Sequence, residues 1–186
     1  VPYLGILTEV LGNMNTDHYT YQELTDEVNL YTGGLRTAVN IYGLQGSDTY
    51  KPRFEMSGKV LYSKVPKMFE LFEDILLHTH FDDEKRLKEI LAMLKSRLLM
   101  KFQSSGHTTA ALRAMSYSSP SAKLKDMTNG IEFYEKIAYI EEHFEEEKGR
   151  LVENLKSLAR LLFRADNMML SYTAAKEGLQ DMETMI

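Results

Sequence analysis

Asn29-Leu30-Tyr31-Thr32-Gly33-Gly34-Leu35-Arg36-Thr37-Ala38-Val39-Asn40-Ile41-Tyr42 changes its hydrophobic period half-way along. Just upstream, Thr20 and Glu23 form the S/T-x-x-E signature of a helix start, and Leu24, Val28 and Tyr31 continue an apolar stripe that Gly33-Gly34 stops. From Leu35 the period falls from 3.6 to 2. Leu35, Thr37, Val39 and Ile41 face one way and Arg36, Ala38 and Asn40 the other, the alternation of a half-buried strand. After a turn at Gly46-Ser47-Asp48, residues Pro52 to Tyr62 alternate again through Phe54, Met56, Gly58 and Val60. The two segments predict an antiparallel pair with helices packed mainly on one face, and therefore an α+β fold.

The flanking sequence supplies those helices. Pro2 to Met14 has Tyr3, Ile6, Leu7, Val10 and Leu11 at helical spacing, with Gly12 near its end. Lys64 to His80 carries Val65, Met68, Phe69, Phe72, Ile75 and Leu76 on one face, with Pro66 in its first turn. Phe81-Asp82-Asp83-Glu84 places acid at the positive end of the next helix, whose pattern runs from Leu87 past Phe102 toward Met115. Residues 116–130, with Pro120 and several serines, read as an internal loop holding a short helix around Lys123 to Met127. Ile131 to Arg164 reads as another long helix, with Gly149 as the place where it bends or breaks. Met168 to Thr173 reads as a closing strand and Lys176 to Met185 as a last short helix. Residues 1–186 are expected to form a single domain.

Composition narrows the function classes. With 186 residues and 44% hydrophobic residues the chain suits one sizeable core. It begins at Val1 without a charged leader or apolar segment and is read as a piece of a longer chain. No apolar run approaches the roughly 20 residues of a membrane span, so a soluble domain and no membrane partner are expected. The absence of cysteine excludes disulfides and thiolate zinc sites and suits a reducing setting, cytoplasmic or organelle matrix. A net charge of −5 argues against nucleic acid, whose affinity rests on clustered Lys and Arg.

Candidate chemistry is sparse. His78-Thr79-His80 followed by Asp82 and Asp83 brings imidazoles and carboxylates close in sequence, which a divalent ion could use. The simpler reading is a helix C-terminus, where histidine favours the negative dipole end, followed by an acidic helix start. His143-Phe144-Glu145-Glu146-Glu147 misses the H-x-x-E-H metallopeptidase pattern because Glu147 stands where the second histidine belongs. Glu141, Glu142, Glu145, Glu146, Glu147 and Lys148 are read as a solvated helix face. His18 has no acid or nucleophile at a recognisable spacing. Gly33-Gly34 lacks the phosphate-loop context and is read as a helix stop. Ser116, Ser118, Ser119 and Ser121 have no nearby His/Asp pair to activate them and are read as loop. The 11 methionines, Met68 and Met100 among them, mostly continue helical stripes.

The order of helix, N-x-x-T-G-G at Asn29 to Gly34, two strands, an amphipathic helix ending in Phe81-Asp82-Asp83, and a long helix resembles the insulinase/pitrilysin family of zinc peptidases. Ser105-Gly106-His107-Thr108-Thr109-Ala110-Ala111-Leu112-Arg113-Ala114-Met115-Ser116, with Gly130-Ile131-Glu132-Phe133-Tyr134, is similar to the presequence-protease branch, in the region beyond the catalytic half. The resemblance implies a parent of four related domains closing around an unfolded peptide, with zinc held in a catalytic domain elsewhere. This chain would be the third domain, an insulinase/pitrilysin-like fold with a degenerate active site, and its partners the other domains of the same polypeptide. Aligned on the family's metal-binding helix, Ile6 and Val10 stand at the histidine positions and Glu9 at the general-base position. On the long helix Leu94, Lys95 or Ser96 stands where a distal glutamate would fall. The expectation is therefore no catalytic, cofactor-binding or metal-ligating residue in this chain, and zinc only in the parent. The resemblance also implies a strand before the first helix, so the piece alone would expose a sheet edge, and a dimer formed through it would be an artefact.

Two other readings compete with this one. An independent scaffold or adaptor could keep the fold without any peptidase activity. A self-contained metal hydrolase would use His78, His80, Asp82 and Asp83.

Overall fold

A computed structural model describes residues 1–43, 45–46, 49–176 and 178–179. The period change at Gly34 is where helix gives way to sheet. Helix α1 spans Pro2–Val10 and α2 spans Tyr21–Tyr31. The Thr20 hydroxyl accepts from the Glu23 N–H, and the Glu23 carboxylate accepts from the Thr20 N–H, so the capping box read from the sequence is formed. Gly34 then adopts φ 103°, a conformation costly for residues with a Cβ, and turns the chain into strand β1, Leu35–Gly43. Strand β2, Tyr50–Gly58, pairs with it antiparallel, and the register sets Thr37 opposite Met56 and Val39 opposite Phe54.

The two faces of this ribbon separate as the alternation requires. Leu35, Phe54 and Met56 pack onto the core, and the Thr37 hydroxyl donates to the Thr8 carbonyl of α1 at 2.6 Å. Across the sheet, Asn40 and Tyr42 both donate to the Glu55 carboxylate, each at 2.6 Å, forming a polar cross-strand cluster. The chain is α+β, with the sheet backed by helices on its apolar face.

The remaining helices are α3 (Val65–Leu77), α4 (Glu84–Ser104), α5 (Gly106–Met115), α6 (Pro120–Asn129), α7 (Ile131–Glu142) and α8 (Phe144–Leu162). The core centres on α1, whose Ile6, Leu7 and Val10 are fully buried. Leu71 and Ile75 of α3, Leu87, Leu91 and Leu94 of α4, Phe133 and Ile137 of α7, and Leu151 and Leu155 of α8 complete it. Each such aliphatic side chain contributes roughly 1.5–3 kcal/mol by leaving water.

Several boundaries differ from the sequence reading, each for a local reason. The first helix ends at Val10, not Met14, because Gly12 takes φ 80° and redirects the chain. The second strand runs from Tyr50 to Gly58 and stops short of Tyr62, which begins a 3-10 turn. The long helix predicted toward Met115 breaks at Ser105, whose φ −137° and ψ 41° leave the helical region. Thr108 and Thr109 then cap the break by donating their hydroxyls to the Ser105 carbonyl. Residues 116–130 are mostly helix, because Ser119 and Pro120 make a serine cap with proline in the first turn, a start signal as strong as any in the chain. The pattern from Ile131 to Arg164 breaks at His143, and Gly149 lies inside α8. Glu145, Glu146 and Glu147 thereby become the first turn of a new helix, at its positive end. Met168 to Thr173 forms no strand, and the sheet among the described residues holds only β1 and β2. Most of the helix expected at Lys176 to Met185, and Ser47-Asp48 of the expected turn, lie outside the described residues.

Gly5 marks the tightest helix crossing. A Cβ there would stand 2.5 Å from the Thr128 carbonyl oxygen and 2.7 Å from the Phe133 ring. Alanine favours a helix over glycine by about 1 kcal/mol, but overpacking a rigid contact costs roughly 1–3 kcal/mol. Gly5→Ala is therefore expected to lower stability by up to about 2 kcal/mol in urea unfolding followed by circular dichroism, despite its better propensity.

Candidate functional site

Of the positions that the resemblance singles out, Glu9 and Leu94 border one cleft and the others do not. Helix α1 lies beside α4, with β1 and the end of α6 flanking them, and a cleft of about 300 Å³ opens between these elements. Ile6 and Val10 do not line it; they point into the core with no exposed surface. Leu94 is also buried, at 3% exposure, whereas Ser96 is exposed. Lys95 donates to Glu141 of α7 at 2.8 Å, which holds its pKa above the usual lysine value through that hydrogen bond. Glu9 does line the cleft, but its carboxylate is paired with the Arg97 guanidinium.

Zinc requires nitrogen, oxygen or sulfur ligands, and positions 6, 10 and 94 offer only hydrocarbon. The residues present here do not fit the metal. Sequence reasoning misses Arg97, which lies one residue past the Leu94 to Ser96 window, because nothing local links it to Glu9.

The histidines gather elsewhere, with partners other than those expected. His78 Nδ1 lies 2.8 Å and His80 Nε2 2.6 Å from the two oxygens of Asp17. His18 Nδ1 lies 2.6 Å from Asp74, a buried carboxylate that also accepts from the Thr16 hydroxyl. These contacts fasten the segment before α2 to the end of α3. Asp82 is instead 3.8 Å from Lys156, and Asp83 caps α4 by accepting from the Arg86 N–H. The His78, His80, Asp82, Asp83 grouping therefore does not converge. No local pattern points to Asp17 or Asp74, because both pairings span more than fifty residues. Among the described residues no group of three or more His, Cys, Asp and Glu side chains is arranged to hold a metal ion.

Two members of this cluster titrate with opposite sign. The hydrogen bond to Asp74, and then its charge, raise the His18 pKa above the ordinary 6.5. A raised folded pKa adds stability that is fully present below 6.5 and is lost as pH rises through the folded value. Asp17 behaves oppositely: hydrogen bonds from His80 and His78 lower its pKa below 3.8, so its contribution holds above that value and disappears in acid. Both groups are exposed, so the effects are small. His18→Gln is expected to flatten the fall in melting temperature as pH rises above the ordinary histidine value of about 6.5. An unchanged slope above that pH would show that the His18 contact carries no linkage.

The acidic run is less solvated than its composition suggests. Lys148 bridges Glu145 at 3.0 Å and Glu84 at 2.7 Å, joining the start of α8 to the start of α4. Glu147, paired with Lys136 at 3.6 Å, is largely covered. His143 places Nδ1 3.0 Å from the Tyr139 carbonyl and stacks on the Tyr139 ring. The serine hydroxyls of Ser116 and Ser118 donate to the backbone carbonyls of Arg113 and Met115, and Ser119 caps α6.

Comparison with known proteins gives this arrangement a lineage. The family of domains associated with peptidase family 16, subfamily C, matches residues 1–140. Protein HypA of Clostridium perfringens is 30% identical over 187 residues, covering 100% of this chain and 19% of that protein. The mitochondrial presequence protease of Xenopus laevis is 29% identical over 180 residues, covering 96% of this chain and 17% of that protein. The mitochondrial presequence protease of Saccharomyces cerevisiae is 28% identical over 173 residues, covering 90% and 17%. The chain thus spans less than a fifth of the length of these relatives. The resemblance to the presequence-protease branch holds, and the chain belongs to the family of domains associated with peptidase family 16, subfamily C.

Proposed function

We propose that this chain is a non-catalytic structural domain of a large zinc metallopeptidase that degrades unfolded peptides inside a closed chamber. It forms part of the chamber wall and holds other domains of the same polypeptide in place. The observation that carries this reading is the fate of the metal-binding helix. Its ligand positions are Ile6 and Val10, both fully buried, and its remaining acid, Glu9, is neutralised by Arg97. A general base acts on metal-bound water, and an ion-paired carboxylate beside hydrocarbon has none to act on.

The relatives support a peptidase parent, since two of them are named presequence protease and each is several times longer than this chain. Zinc then belongs to another domain of that parent. A cytoplasmic or organelle-matrix setting accords with a cysteine-free chain and with mitochondrial relatives. Among the described residues no helix is long and apolar enough to cross a membrane.

The test compares two proteins on one substrate, an internally quenched unstructured peptide. The chain alone is expected to leave it intact, and the full-length polypeptide from the same gene to cleave it and to lose that activity to a chelator. Chelator-sensitive cleavage by the chain alone would overturn the proposal.

A further inference from the structure

The chain carries a net charge of −5, yet the cleft beside α1 gathers three cations, Arg36, Arg97 and Lys101, against the single carboxylate of Glu9. Arg97 is committed to Glu9. Among the described residues the other two have no anionic partner. The Arg36 side chain makes no hydrogen bond or ion pair among the described residues. Lys101 donates at 3.0 Å to the Asn129 backbone carbonyl and at 2.9 Å to the Asn129 side-chain oxygen, both neutral. Partial burial lowers the pKa of this ammonium, as expected of a cation taken from water without a counter-charge. Because Asn129 spends its side-chain oxygen on Lys101, its amide N–H groups remain as donors at the same rim.

The geometry comes from regular elements. Arg97 and Lys101 lie four residues apart on α4, on one face, and the exposed Arg36 of β1 lines the same cleft. The Thr8 and Thr37 hydroxyls that also line it spend their protons on backbone carbonyls. Apart from Glu9, the charged and amide groups left over are therefore donors, and they suit a ligand group that only accepts. Val39 and Leu98 line the same space, so the ligand has an apolar part beside its anionic one. A volume of about 300 Å³ lies at the lower limit for small-molecule pockets and suits one or two residues of a peptide.

We propose that this cleft binds a peptide carboxylate, with Arg36, Lys101 and the Asn129 amide as its donors and an adjacent apolar side chain against Val39 and Leu98. Two sources offer that group: the C-terminal carboxylate of a peptide, or an aspartate or glutamate side chain within one. A cation lost to charge-assisted bonding at such a site weakens binding roughly tenfold.

The experiment titrates three probes into the isotope-labelled 186-residue chain and follows backbone amide resonances. They are acetyl-Ala-Ala-Leu with a free carboxylate, the same peptide as its C-terminal amide, and acetyl-Ala-Asp-Leu amide. Saturable shifts at Thr37, Arg97 and Asn129 with the free acid but not with its amide are expected. Arg36→Gln and Lys101→Gln are each expected to raise the dissociation constant roughly tenfold while the fold, read by circular dichroism, is kept. A response to the aspartyl amide assigns the site to side-chain carboxylates as well, and silence restricts it to chain ends. Equal shifts with acid and amide, no shifts, or an equal response to acetate and inorganic phosphate would overturn the assignment. So would a Lys101→Gln variant that melts lower but binds unchanged, since Lys101 would then only cap α6. The titration reads neither cleavage nor zinc, so its failure leaves the proposed function standing.

Discussion

Leaving Asp126 without its cation, as Arg113→Met does, is expected to destabilise the chain by roughly 3–5 kcal/mol, the cost of a buried charge that loses its partner. Asp126, on α6, has no exposed side-chain surface and receives the Arg113 guanidinium at 2.6 Å. Its other oxygen accepts from the Ile131 N–H at 2.9 Å, capping α7. One carboxylate therefore joins three consecutive helices, α5, α6 and α7. Arg113 is itself held in the charged form by this bond, which raises its pKa. Removing the guanidinium strands the carboxylate. Removing the charge as well relieves it, so Arg113→Met combined with Asp126→Asn is expected to be more stable than Arg113→Met alone. Asparagine can still accept from Ile131. Urea unfolding of the two single variants and the double variant gives the coupling, and additive losses would show that the pair is not linked.

Placing histidines at positions 6 and 10 is expected to harm this domain. Ile6→His with Val10→His places two imidazoles in the core shared with Leu7, Leu94 and Phe133. Each replacement forfeits the burial of an aliphatic side chain and leaves ring nitrogens without partners, so the double variant should lose at least about 3 kcal/mol. It should also gain no peptidase activity, because α4 presents Leu94 and an occupied Arg97, with no third ligand toward that point. A double variant that keeps its melting temperature and cleaves peptide with added zinc would show that the site is only two residues from function.

Period changes make the sheet and its polarity legible in the sequence. Leu35, Thr37 and Val39 lie on the covered face because strand alternation is a local property, and the Thr20–Glu23 cap is readable for the same reason. Helix breaks are harder to read. Ser105 and His143 interrupt patterns whose apolar spacing continues almost in phase on both sides, whereas Gly149, the residue expected to interrupt, is tolerated inside α8. Ser119-Pro120 reads as loop because serines and proline suggest turns, although together they also make a helix start.

The candidate site divides in the same way. That Ile6 and Val10 cannot bind metal is chemistry written in the side chains. That Arg97 neutralises Glu9, that Asp17 sits between His78 and His80, and that Arg36 and Lys101 line one cleft are products of packing, across separations no local pattern records. Function follows the same division: a chain can be read as lacking ligands from its sequence, but what replaced them needs the fold.

If the domain carries no zinc of its own, native mass spectrometry will show it most directly, on the purified chain equilibrated with one equivalent of zinc and then freed of the excess. The expected mass is that of the polypeptide alone. One zinc retained per chain, and lost when Glu9 is replaced by glutamine, would contradict the assignment of the metal to another domain.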